Sequence, residues 1–215
     1  MKQAIPGKDE IALMPPFAGL ALEHVRVPAS AAEFAEACAA IMSAGVVGFD
    51  TESKPTFAVG EISDGPHVVQ FALHHCAYLF QVHRAEGRAC LLDLLRSETL
   101  IKVGFGLQSD RGHIQRKFGI EFGGVADLNS VFSMRGYQRE LGVKNAVALV
   151  FGQRFSKSKK VTTTDWSRHE LSAQQMLYAA NDAYAALKVF EALELPHVEL
   201  PIMGRPLPEP GADKT

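Results

Sequence analysis

Five side chains in this sequence stand where their types and spacing could do chemistry. Asp50 and Glu52 close the apolar run Val46-Val47-Gly48-Phe49, which reads as a short buried strand. In a strand, residues i and i+2 share a face, so two carboxylates would project side by side from the core. Like charges that close repel and raise each other's pKa, so the pair calls for a cation or a shared proton. The plainer alternative is a strand end with two solvated acids. Tyr178 and Asp182 are spaced i and i+4 in a long helical stretch, which stacks them one turn apart. Asp110 follows Gly104-Phe105-Gly106-Leu107-Gln108-Ser109 at a strand-to-helix turn, where it either caps the helix or supplies a fourth acid. Asp93, Asp127 and Asp165 lie at element boundaries and read as caps or solvated residues.

The elements that would position these groups are legible in outline. Residues 1–27 carry Pro6 and Pro15-Pro16 and read as an extended arm. Ser30 and Glu33 form a capping box for a helix with the stripe Phe34, Ala37, Cys38 and Ile41, which Gly45 stops. Beyond the strand that ends at Glu52, residues 54–66 read as loop. The runs 68–73 and 77–82 are close enough to pair antiparallel, with His74 and His75 as turn residues. A helix around 91–95, a strand at 101–105, a helix over 109–118 and a short strand at 125–126 follow. Helical stretches at 128–134 and 142–151 come next, then a basic loop at 154–160 and Trp166, read as a packing residue. The last helix, about 172–195, starts with the capping box Ser172 and Gln175. It is apolar on two sides, which predicts packing on two sides. Strands interleaved with helices and one antiparallel pair predict an α/β fold, a mixed sheet of five to six strands flanked by helices. Residues 28–195 would form the domain. The proline-rich stretch 196–215 reads as a tail, expected to be poorly ordered beyond about Met203.

Composition narrows the function classes. The chain has 215 residues and a formal charge of −2, so any footprint for nucleic acid must be local. The dense basic stretch is Arg154, Lys157, Lys159 and Lys160, either a solvated loop or a set of phosphate contacts. No apolar run approaches the ~18 residues of a membrane span, and the N-terminus lacks a signal peptide's apolar core. These features predict no membrane partner. Cys38, Cys76 and Cys90 form no CxxC pair, which points to a reducing cytoplasm without a disulfide framework or structural zinc.

Phe49-Asp50-Thr51-Glu52-Ser53 resembles the first motif of the DEDD 3′–5′ exonucleases, and Gly104-Phe105-Gly106 through Asp110 is similar to the second. Tyr178-Ala179-Ala180-Asn181-Asp182-Ala183 resembles the third, in its tyrosine form; the position five before Asp182, used by the histidine form, is Leu177. Thr164-Asp165-Trp166-Ser167 and Leu171-Ser172-x-x-Gln175 resemble the ribonuclease D and Werner-syndrome helicase branch. The resemblance covers roughly 28–195. It implies a ribonuclease H-like fold, two divalent cations (Mg²⁺ or Mn²⁺), and hydrolysis from a free 3′ end of single-stranded or frayed DNA or RNA to release nucleoside 5′-monophosphates. By the same resemblance, Asp50 matches the acid shared by both metals. Glu52 and Asp182 match ligands of the metal that carries the attacking water, and Asp110 matches the second-metal side. Tyr178 matches the residue that orients the water, and the backbone of Thr51 a contact to the terminal nucleotide. Phe57 would border the terminal base, and Lys157, Lys159 and Lys160 would meet phosphates. Carboxylates suit these hard ions, and two cations ~4 Å apart can stabilise the entering and leaving oxygens of a phosphoryl displacement. Two rival expectations remain, a ribonuclease D-like exoribonuclease in RNA 3′ processing and a non-catalytic nucleic-acid-binding module of the same fold.

Overall fold

The computed structural model describes residues 4–56, 60–137, 140–195 and 200–203. A short helix, α1 (Lys8–Leu13), and a two-residue strand, β1 (Val25–Arg26), precede α2 (Ala31–Ala44). The Ser30 side chain accepts from the Glu33 N–H and Glu33 accepts from the Ser30 N–H, so α2 starts where local chemistry dictates. Gly45, at φ 70°, ends it and turns the chain into β2 (Val46–Glu52). β3 (Val68–Ala72) and β4 (Ala77–Gln81) follow, then α3 (Arg88–Arg96), β5 (Ile101–Gly104), α4 (Leu107–Phe118) and β6 (Val125–Asp127). The described residues continue with α5 (Leu128–Met134), α6 (Gly142–Phe151), α7 (Lys159–Thr162) and α8 (Ala173–Ala192).

The strands form one mixed six-stranded sheet in the order β1-β4-β3-β2-β5-β6. The β2–β3 and β3–β4 pairs are antiparallel; the others are parallel. Alternation along β2 then sorts its side chains. Val47 and Phe49 join Val69, Phe71 and Phe80 in a core with Phe34, Ile41, Leu94 and Ile114. Gly48, Asp50 and Glu52 take the opposite face, which α8 covers. There Ala179, Ala180 and Ala183 pack on Val68, Ala72, Ala77 and Leu79. Further along α8, Ala185, Leu187 and Val189 pack with Val103, Ala126 and Ala146, so the helix is buried on two sides.

The run of alanines lets α8 come unusually close to the sheet at Gly48. A Cβ there would stand 1.9 Å from the Ala183 carbonyl oxygen, which is backbone and cannot swing aside. Gly48→Ala is therefore expected to destabilise the protein by about 3 kcal/mol, the upper end of overpacking costs. Urea unfolding of the purified variant measures this; a loss below about 1 kcal/mol would mean that helix and strand part freely.

Two features depart from the sequence expectation, and a third adds detail to the tail. The segment read as an extended arm contains α1, six residues between Pro6 and Pro15, with Gly7 N–H donating to Glu10 at its start. A helix this short leaves too little periodicity to detect. Val25–Arg26 pairs parallel with β4 and so belongs to the sheet. Past residue 195, Ile202 bridges to Ala126 and the Met203 N–H donates to the Val125 carbonyl at 2.7 Å. These contacts occupy the outer edge of β6, whose backbone groups would otherwise lack partners. Residues 196–199 and 204–215 lie outside the described residues. No helix among the described residues is long and apolar enough to cross a membrane.

Candidate active site

β2 and α8 bring three acids to one point. Asp50, Glu52 and Asp182 each offer a carboxylate oxygen, and these atoms lie within 4.8 Å of one another. Glu52 and Asp182 are 9% and 4% exposed. Burial, then the charges of Asp110 and Asp182, hold the Asp50 carboxyl well above the usual range. Burial followed by Asp50 and Asp182 pushes Glu52 up to about 9. Burial also raises Asp182, with Lys157 pulling the other way. Three such carboxyls cannot all be charged in this setting unless a cation balances them.

One cation from the chain already stands there. Lys157 Nζ lies 2.6 Å from Asp182 Oδ2 and 5.2 Å from the Tyr178 ring centroid. Burial opposes the ammonium charge, but Asp182 and then Asp50 outweigh it and hold the lysine pKa above its ordinary value. The sequence placed Lys157 in a basic loop facing phosphate. The structure instead turns it inward onto an acid of the cluster. Lys159 and Lys160 are exposed on α7, and Lys160 borders a cavity of about 440 Å³ beside Tyr178 and Asp182.

Asp110 stands on the flank, outside the three-acid group. It is buried in the first turn of α4 and does not cap that helix. The cap comes from Asp127, whose carboxylate accepts from the Gly106 N–H at 3.1 Å and the Leu107 N–H at 2.9 Å, and also caps α5 through the Asn129 N–H. Gly106, at φ 73°, takes the left-handed conformation this turn requires. Relieved of capping, Asp110 accepts a short hydrogen bond from the Thr51 hydroxyl. The Thr51 N–H donates to Asp50 Oδ1 at 2.9 Å, so Thr51 links two acids with both of its donors. Phe57 lies outside the described residues.

Tyr178 is buried on α8, and its hydroxyl shares a 2.8 Å hydrogen bond with Thr162 Oγ1 of α7. Burial, followed by the charge of Asp182, pushes its pKa up to about 12. The phenol therefore stays protonated at neutral pH and can donate or orient, but not act as a base. Trp166 packs against the Tyr178 ring, centroids 5.9 Å apart, and donates its Nε1–H to the Thr162 carbonyl, so it serves packing as expected. Ser172 and Gln175 cap α8 reciprocally, and Gln175 Nε2 also donates to Thr164 Oγ1 and the Asp165 carbonyl, tying this approach to the helix. Tyr178→Phe is expected to lower turnover by about 10²-fold while Mn²⁺ affinity stays within about threefold. Steady-state rates and calorimetric Mn²⁺ titration check this; an unaltered rate would remove the hydroxyl from the chemistry.

Two residues of the site carried no signal in the sequence. Thr162 lies in a stretch without periodicity. Gln70 reads as one more position of an apolar strand, yet it is fully buried directly opposite Asp50, and neither atom of its amide has a hydrogen-bond partner. Burying an unpaired amide is costly. Hard carboxylate donors above an orphaned amide fit a hydrated divalent cation.

A family model described as 3′–5′ exonuclease matches residues 25–196, which include all three acid-bearing segments. A 3′–5′ exonuclease of Arabidopsis thaliana is 26% identical over 151 residues, a match that covers 69% of this chain and 52% of that protein. The Mus musculus bifunctional 3′–5′ exonuclease/ATP-dependent helicase WRN is 29% identical over 153 residues, covering 69% of this chain and 11% of the relative. The match therefore spans about half the length of the first relative and a small part of the second. The Trypanosoma brucei RNase D structure in complex with RNA U12 superposes with a TM-score of 0.70 at 20% identity, over 90% of this chain and 66% of that one. At that identity the likeness is one of fold.

Proposed function

Because the chain belongs to the 3′–5′ exonuclease family, we propose that it hydrolyses phosphodiester bonds stepwise from a free 3′ end and releases nucleoside 5′-monophosphates. The observation that carries this reading is the convergence of Asp50, Glu52 and Asp182 oxygens within 4.8 Å. Asp50, Glu52 and Asp182 would hold a divalent cation such as Mg²⁺ or Mn²⁺, with Asp50 and Asp110 facing a second. Bound cations of this kind polarise a phosphoryl oxygen and acidify water.

The chain's own residues supply the rest. Asp50 shares the cluster with Glu52 and Asp182, and the charge of Asp110 also reaches its carboxyl. Tyr178, fixed by Thr162, presents a protonated hydroxyl beside Asp182 to orient water. Thr51 holds Asp50 and Asp110 in place through one bond to each.

DNA and RNA share the reacting phosphodiester, so matched single strands of both belong in the test. With Mg²⁺ or Mn²⁺, a 5′-labelled strand is expected to shorten one nucleotide at a time, and chelator stops it. Shortening that survives chelation, or none on either polymer, would overturn the proposal.

A further inference from the structure

A second cleft, of about 560 Å³, opens beside the acid cluster between α1, α6 and the segment 154–158. Lys8, Lys144, Arg154 and Lys157 line it, Ile11 and Phe155 add apolar surface, and no acidic side chain is among its lining residues. Lys157 is the lysine paired with Asp182, so the cleft and the acid cluster share a wall. The field of Lys144 also reaches Asp182. Lys8 and Lys144 are exposed, and neither has an ion-pair partner among the described residues.

The wall formed by α1 is held in place by backbone bonds. The Arg154 N–H donates to the Pro15 carbonyl at 2.8 Å, and the Phe17 N–H donates to the Arg154 carbonyl at 3.0 Å. The Arg154 guanidinium donates to the Ala12 carbonyl. α1 lies outside residues 25–196, the part of the chain that matches the family. It brings a cation, Lys8, to the rim of the site.

Lys8, Lys144 and Arg154 gather beside Lys157, the one of the four that is paired with an acid among the described residues, and on a chain of net charge −2 such a set complements a polyanion. Apolar surface interleaved with cations suits a single strand, whose bases rest on the former while its phosphates meet the latter. We propose that this cleft binds the single-stranded polynucleotide next to the terminal nucleotide, with Lys8 and Lys144 on its phosphates. The choice of polynucleotide rests on the exonuclease reading; the cleft and its charge do not.

The test compares the full chain with Lys8→Gln/Lys144→Gln and Lys8→Glu/Lys144→Glu. Fluorescence anisotropy with a labelled oligothymidylate of about 12 nucleotides, in chelator over a salt series, reads the contacts. Each lost phosphate contact lowers the log–log salt slope by about 0.7 for a single strand, so the glutamine pair is expected to lower it by about 1.4. With Mn²⁺, the glutamate pair is expected to lose at least about tenfold more activity on the oligomer than on the p-nitrophenyl ester of thymidine 5′-phosphate, which is too short to reach the cleft. An unchanged slope, no binding by the wild type, or equal losses on oligomer and ester would overturn the proposal. Failure of the wild type to hydrolyse either compound sinks the exonuclease reading, and the anisotropy slope then judges the cleft alone.

Discussion

Asp50→Asn is expected to lower metal-dependent strand shortening by at least about 10³-fold, because it removes one of the charges that would hold a catalytic cation. The amide keeps the shape of the carboxylate, and its oxygen can still accept the Thr51 N–H, so strand geometry survives. What disappears is the negative charge at a buried point where burial, Asp110 and Asp182 together raise its carboxyl. Loss of that charge relieves like-charge repulsion, so in chelator the variant is expected to melt at or above the wild-type temperature. Loss of activity without loss of stability separates a working carboxylate from a structural one. Initial rates on a 5′-labelled strand over a Mn²⁺ titration, beside thermal melts in chelator, supply both numbers. A rate within about tenfold of wild type at saturating Mn²⁺ would take Asp50 out of the centre of the site.

Lys157→Met should act in opposite directions on stability and on metal affinity. In chelator, Asp182 loses the ammonium 2.6 Å from its Oδ2 and is left buried beside Asp50 and Glu52 without its paired cation. Breaking a buried pair by removing one partner costs about 3 kcal/mol. A divalent cation on the Asp182 oxygens competes with the ammonium for them, so removing the lysine removes a competitor. The apparent affinity for Mn²⁺ is expected to rise about tenfold, and saturating Mn²⁺ is expected to close most of the stability gap. Methionine fills much of the space of the lysine stem, so lost packing adds little. Thermal unfolding with chelator and over a Mn²⁺ titration measures both effects. Weaker Mn²⁺ binding by the variant would show that the lysine assists the cation and does not compete with it.

The sequence was most legible where the governing geometry is short-range. Ser30 with Glu33, and Ser172 with Gln175, are three residues apart, and both reciprocal caps form as their spacing requires. Asp50 and Glu52 share a face because a strand repeats every two residues, and Tyr178 and Asp182 lie on one side of α8 because a helix returns after four. The motif order then placed the acids in a family whose model covers most of the chain.

Asp110 shows where such reasoning divides. Its position at a helix start suggested a cap, and only the approach of Asp127 from β6 to the Gly106 and Leu107 N–H groups shows that the cap is supplied from elsewhere. Lys157, Thr162 and Gln70 have the same character. Their partners or neighbours in the site, Asp182, Tyr178 and Asp50, sit on other elements and are brought close by packing.

By itself, the sequence determined which acids share a face, where the helices that carry them begin, and the family to which the chain belongs. The tertiary structure decided which of those acids converge, which lysine neutralises them, and that α1 lines a basic cleft beside them. The physical reason is range: propensity, capping and periodicity act within a few residues. The distances that shift a pKa or pair a lysine with a buried carboxylate arise only when Gly48 lets α8 settle against β2.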